Sequence, residues 1–303
     1  MHIPEHMLNG QICPVTAMVT VGGIATAAFF AVKAKEKPSA LKFGAVAAFI
    51  FAAQMMNFPV QNGTSGHLLG AVLACALLGT PFGVIAMSLV IAIQSLVFSD
   101  GGLTVMGANI LNMALVGGSM GAIFNKIIGD KKEKMNLKNY SLLGVLAWGS
   151  VIFASLFCSL ELAISGTVAL SKAVPAMLGV HALIGIGEAM TTLVVYYLFS
   201  LEKVKTSEKL SIGIPIITAG LIGLTLSPYA SGFPDGLEWV AEKYQFLHES
   251  APAFVSPLPD YTVPMVTNQG LSTGIAGLVG VILTFTVGII LGKMLSAKSR
   301  RVY

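Results

Sequence analysis

Residues 272–294 read STGIAGLVGVILTFTVGIILGKM, a run whose first charge is Lys293. A helix needs roughly 20 apolar residues to cross the ~30 Å hydrocarbon core of a bilayer, and this stretch supplies them. Working outward, comparable runs occur at about 11–32, 43–60, 67–79, 82–98, 105–126, 140–166, 178–200 and 211–228. The third is short for a span and predicts a tilted helix or locally thinned bilayer. The whole chain is 55% hydrophobic and 11% charged, with mean hydropathy +0.81. Soluble chains are about 25% charged, so an ordinary soluble domain is excluded. No stretch alternates as the strands of an outer-membrane barrel do. The expected fold is an all-α membrane protein of nine spans lodged in a lipid bilayer.

The charges test that count. Lysines 33, 35, 37 and 42 follow the first run; lysines 126, 131, 132, 134 and 138 follow the fifth. Lysines 203, 205 and 209 follow the seventh, and Lys293, Lys298, Arg300 and Arg301 lie at the end. With nine spans all four groups fall on one side, which the positive-inside rule makes the cytoplasm. The N-terminus is then outside and the C-terminus inside, and only Lys172 and Lys243 lie outside. The net charge of +4 therefore marks topology, and nucleic acid is not an expected partner. The N-terminal MHIPEHMLNG has no basic segment and no cleavage site, so Met1 is expected to stay attached. Cys13, Cys75 and Cys158 lie apart in apolar runs and are expected to be small buried side chains.

The basic stretch 201–210 divides the chain into a seven-span unit, 1–200, and a two-span unit, 201–303. The loop 229–271 of the second unit carries Asp235, Glu238, Glu242, Glu249 and Asp260 against one lysine. Those acids attract cations, or simply start helices and solvate a loop; both readings are open.

All five histidines, His2, His6, His67, His181 and His248, fall on the outer side of this topology. His2 is the most informative. A free amino terminus, the backbone nitrogen of residue 2 and its imidazole together chelate one metal ion, and one more imidazole completes four nitrogens. Nitrogen-rich square-planar sites suit Ni(II) or Cu(II). His67, expected to open the third span beside the loop Gln61-Asn62-Gly63-Thr64-Ser65-Gly66, is the best fourth donor. The plainer alternatives are a frayed terminus for His2 and a polar helix start for His67. His181 and Glu188 share a helical face, with Glu161 late in the sixth span; a relay or ordinary interhelical contacts would both explain them. Ala27 and Ala31 put small residues on one face of the first span, where a partner helix could dock.

The opening Met-His-Ile-Pro-Glu resembles the N-terminal signature of the nickel/cobalt substrate-binding (S) subunits of energy-coupling-factor transporters, the CbiM/NikM family. Gly63-Thr64-Ser65-Gly66-His67-Leu68-Leu69-Gly70, Ser99-Asp100-Gly101-Gly102-Leu103 and Gly107-Ala108-Asn109-Ile110-Leu111-Asn112-Met113 resemble later segments of the family, in order over about 1–200. Phe233-Pro234-Asp235-Gly236-Leu237-Glu238 resembles the signature of the fused two-span PDGLE module. The resemblance implies a seven-helix S-component bundle plus two further transmembrane helices, with Ni2+ or Co2+ as transported substrate. It implies metal ligands at Met1, His2 and His67, with support from the stretch Gln94–Asn109, where Asp100 and Asn109 serve equally well as helix caps. It implies partners too: a transmembrane coupling (T) subunit and separate ATPase (A) subunits, since this chain has no Walker A motif. The second module implies a role in metal loading. At position 6 the family has glycine where this chain has His6, either an accessory imidazole or a tolerated surface residue. An intramembrane metalloenzyme would need a ligand set such as HExxH, which is absent. A stand-alone secondary transporter or channel is the remaining alternative.

Overall fold

The computed structural model describes residues 1–129, 135–202, 208–247 and 254–296. Lys131, Lys132, Lys134, Lys203, Lys205, His248, Glu249, Lys298, Arg300 and Arg301 lie outside the described residues. The elements are α1 (Ile12–Lys33), α2 (Ala40–Gln54), the short β1 (Phe58–Pro59) and β2 (Ser65–Gly66), α3 (Ala71–Leu78) and α4 (Thr80–Phe98). Then come α5 (Met106–Ile110), continuing through a π-helical turn at Leu111–Val116 into α6 (Gly117–Ile128), then α7 (Leu137–Ile164) and α8 (Leu170–Glu202). The second unit holds α9 (Glu208–Leu221), extended by tighter and wider turns to Tyr229, α10 (Gly236–Lys243) and α11 (Gln269–Ser296).

Among the described residues six helices are long and apolar enough to span a bilayer: Ile12–Lys33, Thr80–Phe98, Met106–Ile128, Leu137–Ile164, Leu170–Phe199 and Gln269–Ser296. The seven-plus-two arrangement read from the sequence is not matched span for span, because α2, α3 and the 213–229 helix are shorter. At 8 residues α3 is about 12 Å long, well under a bilayer core. The reason is position. Helices α2 and α3 run through the middle of the bundle, with Val46–Ala52 and Ala71–Cys75 buried, so protein rather than lipid satisfies them. Gly70 (φ +83°) and Gly79 (φ +88°) bound α3 with left-handed backbone that favours glycine.

The second unit packs into the first. Helix α11 lies along α2, and a Cβ on Gly288 would stand 2.8 Å from the Cα of Gly44. Glycine pairs of this kind let membrane helices approach at backbone distance. At the same end of the bundle Lys37 Nζ donates to the Leu295 carbonyl at 2.9 Å, joining the α1–α2 connection to the end of α11. Ala27 and Ala31, small residues on one face of α1, are buried inside the bundle. The exposed face of α1 carries Met18, Val21, Phe29 and Phe30. Cys75 and Cys158 are buried and Cys13 half-buried, all as free thiols.

Candidate metal centre

The chain's first residues fold back into the bundle. Met1 and His2 are 7% and 6% exposed and Ile3 is fully buried, so the terminus is not frayed. Long-range hydrogen bonds hold it. Asn109 accepts from the Ile3 amide at 2.7 Å and donates to the Ile3 carbonyl at 3.1 Å, as a neighbouring strand would. The Gly102 amide donates to the same carbonyl at 2.9 Å, and the Leu103 amide donates to Glu5 at 2.8 Å. A side chain on Gly102 would collide with the Glu5 backbone at 2.6 Å, which accounts for the glycine at that position. In the stretch 94–109, the Asp100 carbonyl and the Asn109 side chain contact the N-terminal segment, and neither side chain caps a helix.

His67 reaches the same point from the β1–β2 hairpin. Sequence reasoning placed it at a helix start, but it lies before α3, which begins only at Ala71 after the left-handed Gly70. Its Nδ1 donates to the Leu68 carbonyl at 2.9 Å, which leaves the Nε2 lone pair free to face outward. That lone pair is 3.2 Å from the Met1 amino group. The His2 and His67 rings stand 5.3 Å apart between centroids, tilted by 52°. The structure thus brings together all three residues singled out from the sequence: Met1, His2 and His67. His2 Nδ1 points at the Asp100 carbonyl, 3.2 Å away, while its buried Nε2 has no partner among the described residues.

Sequence reasoning missed how Asp235 would enter this site. One oxygen of its carboxylate pairs with the Met1 ammonium. The other accepts the Leu237 and Glu238 amides, at 2.7 and 2.9 Å, and Glu238 accepts from the Asp235 amide at 3.0 Å, forming a capping box at the head of α10. Ser65 anchors this turn to the β2 strand: its amide donates to the Pro234 carbonyl at 2.8 Å and its hydroxyl to the Phe233 carbonyl at 2.7 Å. Gly236 is required there, because a Cβ would stand 2.9 Å from His181 Cε1 and from Ile184 Cδ1. The cap was visible as Asp and Glu three residues apart; the amine was not, since it lies 234 positions away.

Charge follows geometry. Burial pushes His67 down to about 3, with the Met1 ammonium and then His2 adding to the effect, so its imidazole is neutral. Burial also lowers His2, against the opposing pull of Asp100. Burial alone would raise the Asp235 carboxyl, but the charge and hydrogen bond of the Met1 ammonium outweigh it and hold Asp235 well below the usual carboxylate range. A cavity of about 440 Å³ opens over the site, lined by His2, His67, Asp100, Asp235, Glu238 and Tyr261 among others. Both modules therefore wall the same acidic chamber.

The remaining candidates sort themselves. His6 is exposed, with φ +63°. His181 lies eleven residues into α8 rather than at its start; its Nδ1 contacts the Met177 carbonyl at 2.8 Å and it borders a small cavity beneath Met1 and His67. Glu161 accepts from Asn112 at 2.6 Å, and Glu188 accepts backbone amides ahead of α3. These groups bond to different partners rather than to one another. Glu242 and Asp260 are exposed. Among the described residues no group of three His, Cys, Asp or Glu side chains has metal-holding geometry, so a nitrogen-rich centre here must draw on the terminal amine and backbone.

Known proteins resolve what such an arrangement belongs to. The model of the CbiM cobalt uptake substrate-specific transmembrane region matches residues 2–207. The chain belongs to this CbiM family. The PDGLE domain model matches residues 209–297. A protein of Archaeoglobus fulgidus that carries the fused nickel transport name NikMN is 33% identical over 302 residues, spanning 97% of this chain and 98% of that one. The cobalt transport protein CbiM of Acetoanaerobium sticklandii is 31% identical over 180 residues, 54% of this chain and 72% of that one. The crystal structure of a truncated transition metal transporter superposes with TM-score 0.57 at 32% identity, covering 66% of this chain and 99% of that one. This CbiM-family chain is a multi-pass membrane protein of nickel and cobalt transport.

Proposed function

We propose that this chain is the metal-capturing S subunit of an energy-coupling-factor importer, taking Ni2+ or Co2+ from the extracytoplasmic side as its substrate. The observation that carries the reading is the buried Met1 amino group 3.2 Å from His67 Nε2, with the His2 ring beside it. The amine and the His2 backbone nitrogen close a five-membered chelate ring on a metal ion, and the backbone nitrogen and His2 Nδ1 close a six-membered one. His67 Nε2 supplies the fourth nitrogen. Four nitrogens in a plane favour Ni(II), with Co(II) accepted by similar donors. Capture exchanges the His2 Nδ1 hydrogen bond to Asp100 and the amine's pair with Asp235 for the metal, and it releases one proton from the ammonium and one from the His2 amide, so protons compete with the ion. The neutral state of both imidazoles supports the reading: His67 Nε2 already offers its lone pair, and His2 Nδ1 offers one once its ring proton passes to Nε2.

The positive-inside distribution supports an N-terminus outside, with the chamber over His2 open to that side. Energy then comes from separate ATPase subunits acting through a transmembrane coupling subunit. The two units, 1–200 and 201–303, are read as the S component and its PDGLE module, the latter contributing Asp235 to the chamber wall.

Calorimetric titration of the full chain with Ni2+ and Co2+ tests the site. Both His2→Ala and insertion of one residue between Met1 and His2 should abolish binding, whereas His6→Ala should leave it intact. An insertion variant that still binds would remove the amine from the ligand set and end this reading. Uptake by vesicles containing this chain alone would favour the stand-alone transporter over the importer subunit.

A further inference from the structure

Glu188 sits within α8, fully buried, and among the described residues no basic side chain pairs with it. An ionisable group inside a membrane bundle is costly and marks a specific task. Its two oxygens accept the Leu69 amide at 2.5 Å and the Gly70 amide at 2.9 Å. Gly70 is the N-cap of α3, where a helix leaves amide donors without acceptors of its own, and Leu69 lies one residue ahead of it. From the other side, Gln54 of α2 donates through Nε2 to the Leu69 carbonyl at 2.8 Å. Helices α8 and α2 thus pin both polar groups of Leu69. The peptide that precedes Leu69 carries the Leu68 carbonyl, which receives the His67 Nδ1 proton at 2.9 Å. That bond sets both the tautomer and the direction of the ring, as the outer partners of metal-bound histidines do.

We infer that Glu188 is a positioning residue for the metal centre, fixing the Leu68–Gly70 backbone and through it the aim of His67 Nε2 at the Met1 amine. The inference rests on the proposal that His67 is a ligand. Glu188 touches no metal; it works through two amides and a carbonyl, and Gln54 shares the task. An α3 cap lacking this role would need neither a buried carboxylate nor a second helix holding the same residue.

The test uses the full chain in detergent, with Ni2+ affinity, the visible absorption of bound Ni(II), and thermal unfolding measured for each variant. Glu188→Ala should weaken Ni2+ binding roughly 10–100-fold, the usual effect of removing a group that orients a metal-bound histidine. It should also shift the absorption band, and Glu188→Gln, which keeps one acceptor, should recover part of both. Wild-type affinity and spectrum in a Glu188→Ala protein that merely melts earlier would overturn the inference. Where Glu188→Ala does not fold, Gln54→Leu loosens the same turn from α2; a weakened, shifted centre supports the inference and an unaltered one overturns it. His67→Ala separates the two claims. If it binds Ni2+ like wild type, the ligand reading fails and the inference with it. If it loses binding while the Glu188 and Gln54 variants keep theirs, only the positioning role fails.

Discussion

The amino terminus and the Phe233–Glu238 turn meet at the same ammonium–carboxylate contact from opposite ends of the chain, and they are held there differently. The terminus has no regular structure of its own. Asn109, Gly102 and the 103–104 amides, all about a hundred residues away, give it a fixed path. The turn is locally self-sufficient, since its capping box forms among residues three apart; Ser65 and the Met1 amine bond it to the first unit, and Gly236 packs it against His181 and Ile184. One side of the chamber is therefore a segment shaped by its surroundings. The other is a preformed unit docked onto them. Removing long-range partners should loosen the first, while disturbing the docking contact should release the second intact.

Asp235→Ala makes the largest break, because it removes the counter-charge of a buried ammonium and the α10 cap together. The lost pair costs about 3 kcal/mol, the low end for breaking a buried pair, and the lost cap about 1 kcal/mol. Thermal unfolding of metal-free protein should show the sum for Asp235→Ala. Asp235→Asn, which keeps a capping oxygen, should retain most of the smaller part. If the two substitutions are equally mild, the turn is not docked through this charge.

Acid probes the terminus side. Folded His67 is held near 3, by burial first and then by the ammonium, against 6.5 ordinarily. Below about 6.5 the unfolded chain takes up a proton that the folded chain refuses. Stability is therefore full above that pH and falls as pH drops toward 3. Each pH unit inside the window costs up to about 1.4 kcal/mol. The melting temperature of metal-free protein should decline across it, and more shallowly in His67→Ala. Parallel curves would mean that the imidazole is not buried beside the amine.

Gly236→Ala sharpens the docking side, since its Cβ would press on His181 and Ile184. Overpacking of this kind costs about 1–3 kcal/mol. Protease cleavage in the 233–247 region should rise while the rest of the bundle keeps its protection. The smallest effect belongs to His6, which occupies left-handed backbone at φ +63°. His6→Gly should raise stability by about 1 kcal/mol, the usual strain of a side chain there, without changing Ni2+ affinity. A loss of affinity would make the imidazole part of the centre.

Six long apolar helices were legible because hydrophobic length is a property of consecutive residues. The third run already read as short, but the shortness of α2 and the cause of both were not legible, because a helix wrapped in protein need not match a bilayer, and only packing reveals which helices are wrapped. The chelating potential of Met1 and His2 was equally plain, since amine, amide and imidazole are covalent neighbours. Asp235 was open to reading as a helix-start acid or as a cation-attracting one, and its capping box with Glu238 is local. Its second role as partner of the Met1 amine, the grip of Asn109 on Ile3, and the clamp of Glu188 and Gln54 on Leu69 were hidden. Each joins groups far apart in the chain whose side chains look unremarkable alone. By itself the sequence determined a helical membrane protein whose first dipeptide carries an amine, an amide and an imidazole as covalent neighbours. Only the tertiary structure decided which carboxylate faces the amine and which helices aim His67, because those are choices of proximity that no local pattern encodes.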